Sequence, residues 1–275
     1  MDRGYEPFRR QKSGGAKINC SHILQQNQTG AVIKDESTSN TMKKTTTFLI
    51  ALLAAGPLFA ADTNTTGQVE DALAKLKSAT NYSWTATIKI PNSPFTPGPV
   101  QGRTQKGGYA MVTQQFNDNT LEAVFKGDKA AVKGEDGWQS LDEAEGMTAM
   151  MGGFLTSSGT AADEAGKLLK NVQDLKAADG GELDGDFTPA GATELLTFHP
   201  RGGDPTQPKN AKGSVKFWLK DGALIKFESH LQGKMAFGAD QDEQDFEITR
   251  TVEIKDVGTT KLEVPEDARK KLESK

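Results

Sequence analysis

Arg250 is the residue whose setting demands most of its surroundings. It falls at every-second spacing with Phe246, Ile248, Val252 and Ile254, while Glu247, Thr249, Thr251 and Glu253 take the alternate positions. A strand sends successive side chains to opposite faces, so a guanidinium stands in an otherwise apolar row. A buried charge is costly unless it is paired. Arg250 therefore needs a partner: a buried carboxylate, a ligand carboxylate or phosphate, the carbonyls at the end of a covering helix, or water at the sheet rim.

Other groupings carry less chemistry. Asp240, Asp242, Glu243 and Asp245 alternate like calcium ligands, but the turn glycine and closing glutamate of an EF-hand loop are missing, and a solvated hairpin loop is the simpler reading. His199 and His230 are too far apart in sequence for a zinc-binding HExxH or H-x-H frame. Gly152-Gly153 and Gly202-Gly203 lack the lysine of a phosphate loop, and no G-x-S-x-G elbow occurs. The single cysteine, Cys20, excludes a disulfide framework and a thiolate zinc site. The residues thus point to no cofactor, no metal and no enzymatic activity. Met147, Met150, Met151 and Phe154 form, with Leu155, a compact apolar patch. Methionine is flexible and polarizable and suits surfaces that repack around varied apolar partners. The patch reads either as a lid over an apolar pocket or as a core-packing turn.

The chain has 275 residues, 33 Lys+Arg against 37 Asp+Glu, and a net charge of -4. Met42-Lys43-Lys44 and the run Phe48–Ala61 (FLIALLAAGPLFAA) have the basic start, short apolar stretch and small-residue exit of a secretory signal peptide at 42–61. The run is shorter than the roughly 20 apolar residues that span a bilayer. Residues 1–41 are polar and patternless; they read as a start-site artefact upstream of Met42, or as a disordered tail ahead of a weak signal anchor. Residues 1–61 hold eight of the basic and four of the acidic residues, leaving 25 and 33 for 62–275, a net charge of -8 with no cysteine. That acidity excludes a general nucleic-acid footprint. A cysteine-free segment after an export signal suits a periplasmic or secreted protein without a lipid anchor.

The rest reads as one α+β domain over 62–275. The spacing of Val69, Leu73 and Leu76 predicts a helix over 67–78, with Thr65 and Gln68 as a capping box. The period then changes to two: Tyr82, Trp84, Ala86, Ile88 and Ile90 share one face. Strands are expected at 100–105, 109–116, 120–126, 129–133 and 138–141, separated by turn residues, making an antiparallel meander. Thr160 to Asp163 opens a helix expected to run to Gly180-Gly181. Further strands are expected at 194–198, 214–219, 224–231 and 244–254, a short edge at 261–264, and a C-terminal helix from Pro265 to about Leu272. Trp84, Trp138 and Trp218 fall on strands, with Trp218 on the face away from Phe217 and Leu219.

The order of these elements resembles the LolA/LppX-like superfamily of periplasmic lipoprotein and lipid carriers over about 65–270. The residues that carry the resemblance are the hairpin GDKAAVKGEDGW at Gly127–Trp138, the hairpin LKDGALIKFES at Leu219–Ser229 and the ending IKDVGTTKLEVPEDA at Ile254–Ala268. The resemblance implies a single curved antiparallel sheet, a half-open barrel, with helices covering its concave face; a β-sandwich or an up-and-down barrel with peripheral helices is the alternative. It implies an apolar ligand such as a lipid or the acyl chains of a lipidated protein, and only transient contact with a membrane. The alternative is an envelope sensor, regulatory or structural protein that uses the same fold to bind an envelope protein partner. Trp84, Ile88, Met147, Met150, Met151, Phe154 and Arg250 are the candidate ligand contacts.

Overall fold

The computed structural model describes residues 64–273 apart from 92, 94–96, 117–118, 200–203 and 237–241. The expected signal peptide at 42–61 and residues 1–41 lie outside the described residues. Helix α1 (Thr65–Ser78) buries Val69, Ala72, Leu73 and Leu76. Its cap is Asn64, whose side-chain oxygen accepts the Gly67 N–H at 2.9 Å, and not the expected Thr65–Gln68 box. Thr65 is already helical, and its hydroxyl donates instead to the Leu175 carbonyl.

Strand β1 (Tyr82–Lys89) buries Tyr82, Trp84, Ala86 and Ile88, as its alternation requires. The meander continues through β2 (Val100–Gln105), β3 (Tyr109–Phe116), β4 (Asn119–Lys126), β5 (Lys129–Gly134) and β6 (Gly137–Ser140). Gly127 (φ 62°) and Gly137 (φ 104°) adopt the left-handed backbone that their tight turns need.

Two helices follow, α2 (Gly146–Thr156) and α3 (Ala161–Asn171). The Met-rich patch is therefore helical. Helix α3 begins as expected at Thr160, in a full capping box with Asp163, but ends at Asn171. Residues expected to prolong it form β7 (Val172–Ala177) and β8 (Glu182–Phe187), with Val172 opposite Phe187 and Ala177 opposite Leu183. Pairing in the ladder sets Leu175 in the inner apolar cluster, a tertiary contact that outweighs the local helical spacing. The expected strand at 194–198 is also overturned. Thr188 caps and Pro189 opens α4 (Pro189–Leu196), which buries Ala192 and Leu196 one turn apart. The long strands β9 (Lys209–Lys220), β10 (Ala223–Met235) and β11 (Gln244–Lys255) come next. No edge strand forms at 261–264; Leu262 and Val264 are buried in an irregular segment that leads into α5 (Glu266–Glu273).

All eleven strands join one antiparallel sheet in the order β6-β5-β4-β3-β2-β1-β11-β10-β9-β8-β7. It is neither a sandwich nor a closed barrel, because β6 and β7 remain as edges. The chain crosses from one edge to the other through α2 and α3. Strands from both halves share a single apolar cluster with α1, α3 and α4: Trp84, Val112 and Phe125 meet the same cluster as Phe217, Phe227 and Val252. A twisted ribbon of this length curls, and the cluster marks its inner face. Helix α2 lies on the inner wall of β3, β4 and β5. Helix α5 differs, covering the outer face of β4–β6 through Ala268 and Leu272 against Val124 and Ala131. The expectation that helices cover the concave face holds for four of the five.

Candidate functional site

The inner wall is built by strand parity. On β1, Trp84 and Ile88 point inward, four residues apart; register sets Trp84 between Gly102 and Ile254, and Ile88 opposite Arg250. Gly102 is required here, because a methyl group at this position would overlap the Trp84 indole. Tyr82 packs beside Trp84 with ring centroids 5.8 Å apart. The Ala162 N–H donates to the Tyr82 hydroxyl oxygen at 3.3 Å. Burial pushes the Tyr82 phenol above its ordinary value of 10.0, against the opposing hydrogen bonds from Thr160 and Ala162.

Arg250 stands in the apolar row of β11, as its spacing predicted, and its partner is Glu164 on the first turns of α3. The guanidinium donates from Nε to Oε1 at 2.6 Å and from Nη2 to Oε2 at 3.0 Å. Both side chains are largely withdrawn from solvent, 16 % and 11 % exposed. The two-pronged geometry matches a planar guanidinium to a planar carboxylate and fixes α3 over the wall. Of the partners that the sequence left open, the structure places a carboxylate beside Arg250. Glu164 lay 86 residues away with nothing in its spacing to single it out.

Met147, Met150, Met151 and Phe154 lie elsewhere on the same face of the sheet, on α2 over β3–β5. The seven candidate contacts thus form two groups, Trp84, Ile88 and Arg250 near α3, and the four α2 residues. Met147, Met150 and Phe154 fall at i, i+3 and i+7 and turn outward, 67 %, 59 % and 48 % exposed; Met151 is half-buried. Only Gly152 and Leu155 of α2 are buried. Gly152 sits so near the wall that an added Cβ would lie 2.9 Å from a Val132 methyl and 3.0 Å from Leu141 Cδ1. The helix is poorly secured at its start: Glu145 makes no side-chain cap, and neither the first turn nor the last holds a charge that suits the dipole. Two adjacent glycines lower its intrinsic stability by roughly 1 kcal/mol each relative to alanine. Helix α3, by contrast, has a capping box, Asp163 and Glu164 in its first turn, Lys170 in its last, and the Arg250 clasp.

Two surface hollows, of about 600 and 490 Å³, open elsewhere, and neither is lined by a residue of α2. The larger follows α4 and includes His199 and Glu194. His230 is on the outer face, with Nε2 2.9 Å from Glu247 Oε1. Asp240 lies outside the described residues, and Glu243 is paired with Lys209. Trp218 faces outward under Lys226, whose ammonium stands 4.1 Å from the ring centroid. Among the described residues, no helix is long and apolar enough to cross a membrane.

The class defined by these features is an open, curled antiparallel sheet with a helix-covered apolar inner wall. No family model matches the chain, and no curated protein matches it. Among solved structures, the lipoprotein LppX of Mycobacterium tuberculosis matches at 14 % identity and a TM-score of 0.39, covering 74 % of this chain and 99 % of that one. LprF from Mycobacterium bovis matches at 12 % identity and a TM-score of 0.38, covering 74 % and 97 %. A LolA superfamily protein from Nitrosomonas europaea matches at 8 % identity and a TM-score of 0.30, covering 72 % and 94 %.

Proposed function

We propose that this chain is an exported carrier or binding protein for an apolar ligand, a lipid or the acyl chains of a lipidated protein, and that it performs no chemistry on that ligand. The observation that carries the reading is the contrast between α2 and α3. Helix α3 is clasped to the sheet by Arg250–Glu164, whereas α2 is held inward chiefly by Leu155 and presents three large apolar side chains to solvent. Burying a leucine side chain stabilises by about 2 kcal/mol, and each acyl methylene taken from water contributes about 0.8 kcal/mol. Three or four methylenes on the wall of Val112, Ala123, Phe125 and Val132 therefore match what holds α2 down. A ligand entering beneath α2 would meet Leu155 and the half-buried Met151, and a roll of α2 would bring the outward-facing Met150 and Phe154 over it as adaptable side chains. The signal-like segment at 42–61 supports a periplasmic or secreted location, with transient membrane contact during loading and release.

The test is native mass spectrometry of the protein purified gently from cell envelopes, followed by titration with a fluorescent long-chain fatty acid. Co-purified lipid, or saturable probe binding weakened by Met150→Ser and Phe154→Ser, supports the carrier reading. Ligand-free protein that ignores the probe overturns it. One observation favours a second reading: the tight contact of Gly152 with Val132 leaves α2 seated on the wall. A structural envelope protein with a filled interior, or one that binds a protein partner through the Met-rich face, predicts a co-purifying polypeptide or no companion, and no lipid.

A further inference from the structure

One end of the outer face of β1, β2 and β11 gathers cations in a chain that is acidic overall. Register puts Arg103 of β2 and Lys255 of β11 on either side of Ser83 of β1. Neighbouring strands lie roughly 4.8 Å apart, so both cations flank one hydroxyl at close range. The next outward row along holds Gln101, Thr85 and Glu253. The loop after β11 forms one rim. Asp256, at φ 52°, opens a tight turn whose carbonyl accepts the N–H groups of Thr259 and Thr260 at 3.1 and 3.0 Å and the Thr260 hydroxyl at 2.9 Å. Gly258 N–H donates to the Asn81 carbonyl at 2.9 Å, tying the turn to the start of β1.

Strand row and loop together enclose a polar hollow of about 490 Å³, and Arg103, Lys255 and Lys261 all line it. Two of its charged groups are engaged. The Asp256 carboxylate accepts from Ser83 Oγ at 2.8 Å, and Lys255 pairs with Glu253 at 2.8 Å. Arg103 and Lys261 have neither an ion-pair nor a hydrogen-bond partner among the described residues. A planar guanidinium without a partner is the side chain best suited to a two-pronged grip on a tetrahedral or planar oxyanion. The acidity of the remaining surface is screened beyond about 8 Å at physiological ionic strength, and within the hollow three cations, Arg103, Lys255 and Lys261, face the single lining carboxylate of Asp256.

We propose that this hollow binds the phosphate group of a small phosphorylated polyol, carried either by a free ester or by a lipid headgroup. Arg103 grips the phosphate and Lys261 adds a second positive charge, while Thr85, Gln101 and Thr259 supply hydroxyl and amide partners for the polyol. The site lies on the face opposite the apolar wall and stands or falls independently of acyl binding. Calorimetric titration of the full chain with inorganic phosphate and with glycerol 3-phosphate, and flotation with vesicles containing phosphatidylglycerol, tests it. The Trp84 indole beneath Gly102 gives a fluorescence readout from the far side of the sheet. Saturable binding of the soluble probes is expected, weakened about tenfold or more by Arg103→Gln, less by Lys261→Gln, and unchanged by Lys234→Gln on distant β10. Flotation that depends on Arg103 without soluble binding assigns the phosphate to a headgroup. Absence of binding to every probe, or binding indifferent to Arg103→Gln, overturns the proposal; melting curves of these exposed-site variants confirm that they fold.

Discussion

Glu164 and Arg250 meet through two parallel hydrogen bonds of 2.6 and 3.0 Å, the one clasp between α3 and the apolar row of β11 among the described residues. Removing one member leaves the other charge buried without compensation, a loss of about 3 kcal/mol or more. Arg250→Met and Glu164→Leu should each lower the unfolding free energy by that order. The double variant should lose much less than the sum, because two apolar side chains can fill the space without a stranded charge. Urea denaturation of the four proteins measures the cycle. Additive losses would show that the pair does not act as a unit.

The need for that partner was legible before its identity. The alternation around Arg250 places a charge in an apolar row and requires compensation, but Glu164 sits on a helix whose position only the tertiary fold decides. The same boundary runs through the elements. Strands β1–β6 and β9–β11 are readable because apolar residues alternate and glycines mark their turns. Strand β8 hides its period: Leu183 and Phe187 point inward, and the position between them is Gly185, where an added Cβ would crowd Val172 Cγ2 at 2.8 Å. Val172 and Leu175 continue the helical spacing of α3, so their local pattern argues for the helix that sheet pairing overrules. Helix α4 did carry a signal, Thr188 before Pro189, which the strand reading of 194–198 passed over. Trp84, Ile88 and the α2 residues emerge from their patterns as one set; the two-group arrangement comes from α2 and α3 covering different strands.

Tyr82 links β1 to the start of α3 and gives the fold an alkaline limit. Burial raises its phenol above the ordinary 10.0. The folded state therefore keeps a proton that the unfolded chain releases at lower pH. Its stabilising contribution is complete below about pH 10 and is lost as the pH rises through the raised folded-state value. Tyr82→Phe removes this dependence and also strands the Ala162 N–H, a cost of about 1 kcal/mol. Wild type should be the more stable protein near neutrality, and its advantage should shrink above about pH 10. Urea midpoints of the two proteins across that range decide it, since lysine titration is common to both. A constant difference would mean that Tyr82 does not control the alkaline limb.

Gly102 and Trp84 test how closely the inner wall is fitted. A glycine inside a strand ordinarily gains from replacement by alanine. Here the added methyl would occupy the place of the indole. Gly102→Ala should destabilise by about 1–3 kcal/mol, the usual range for overpacking. Trp84 emission should shift as the ring is displaced. Unchanged stability with an unchanged spectrum would show that the wall yields more readily than its packing implies.

The carrier reading depends on α2 leaving the wall, and a reversible staple can forbid that. The Cβ of a residue at 152 would stand 3.0 Å from Val132 Cβ. Disulfide-bonded residues have Cβ atoms about 3.5–4.5 Å apart, so a shift of about half an ångström admits the bond. The double substitution Gly152→Cys and Val132→Cys, in a chain with Cys20→Ser, would pin α2 to β5 when oxidised and free it when reduced. If acyl chains enter beneath α2, oxidation should slow exchange of a fluorescent long-chain fatty acid by about tenfold or more, and reduction should restore it. Folding is separated from gating because both rates come from the same molecules before and after reductant. Equal exchange in the two redox states would make α2 a fixed part of the wall and move the entrance elsewhere.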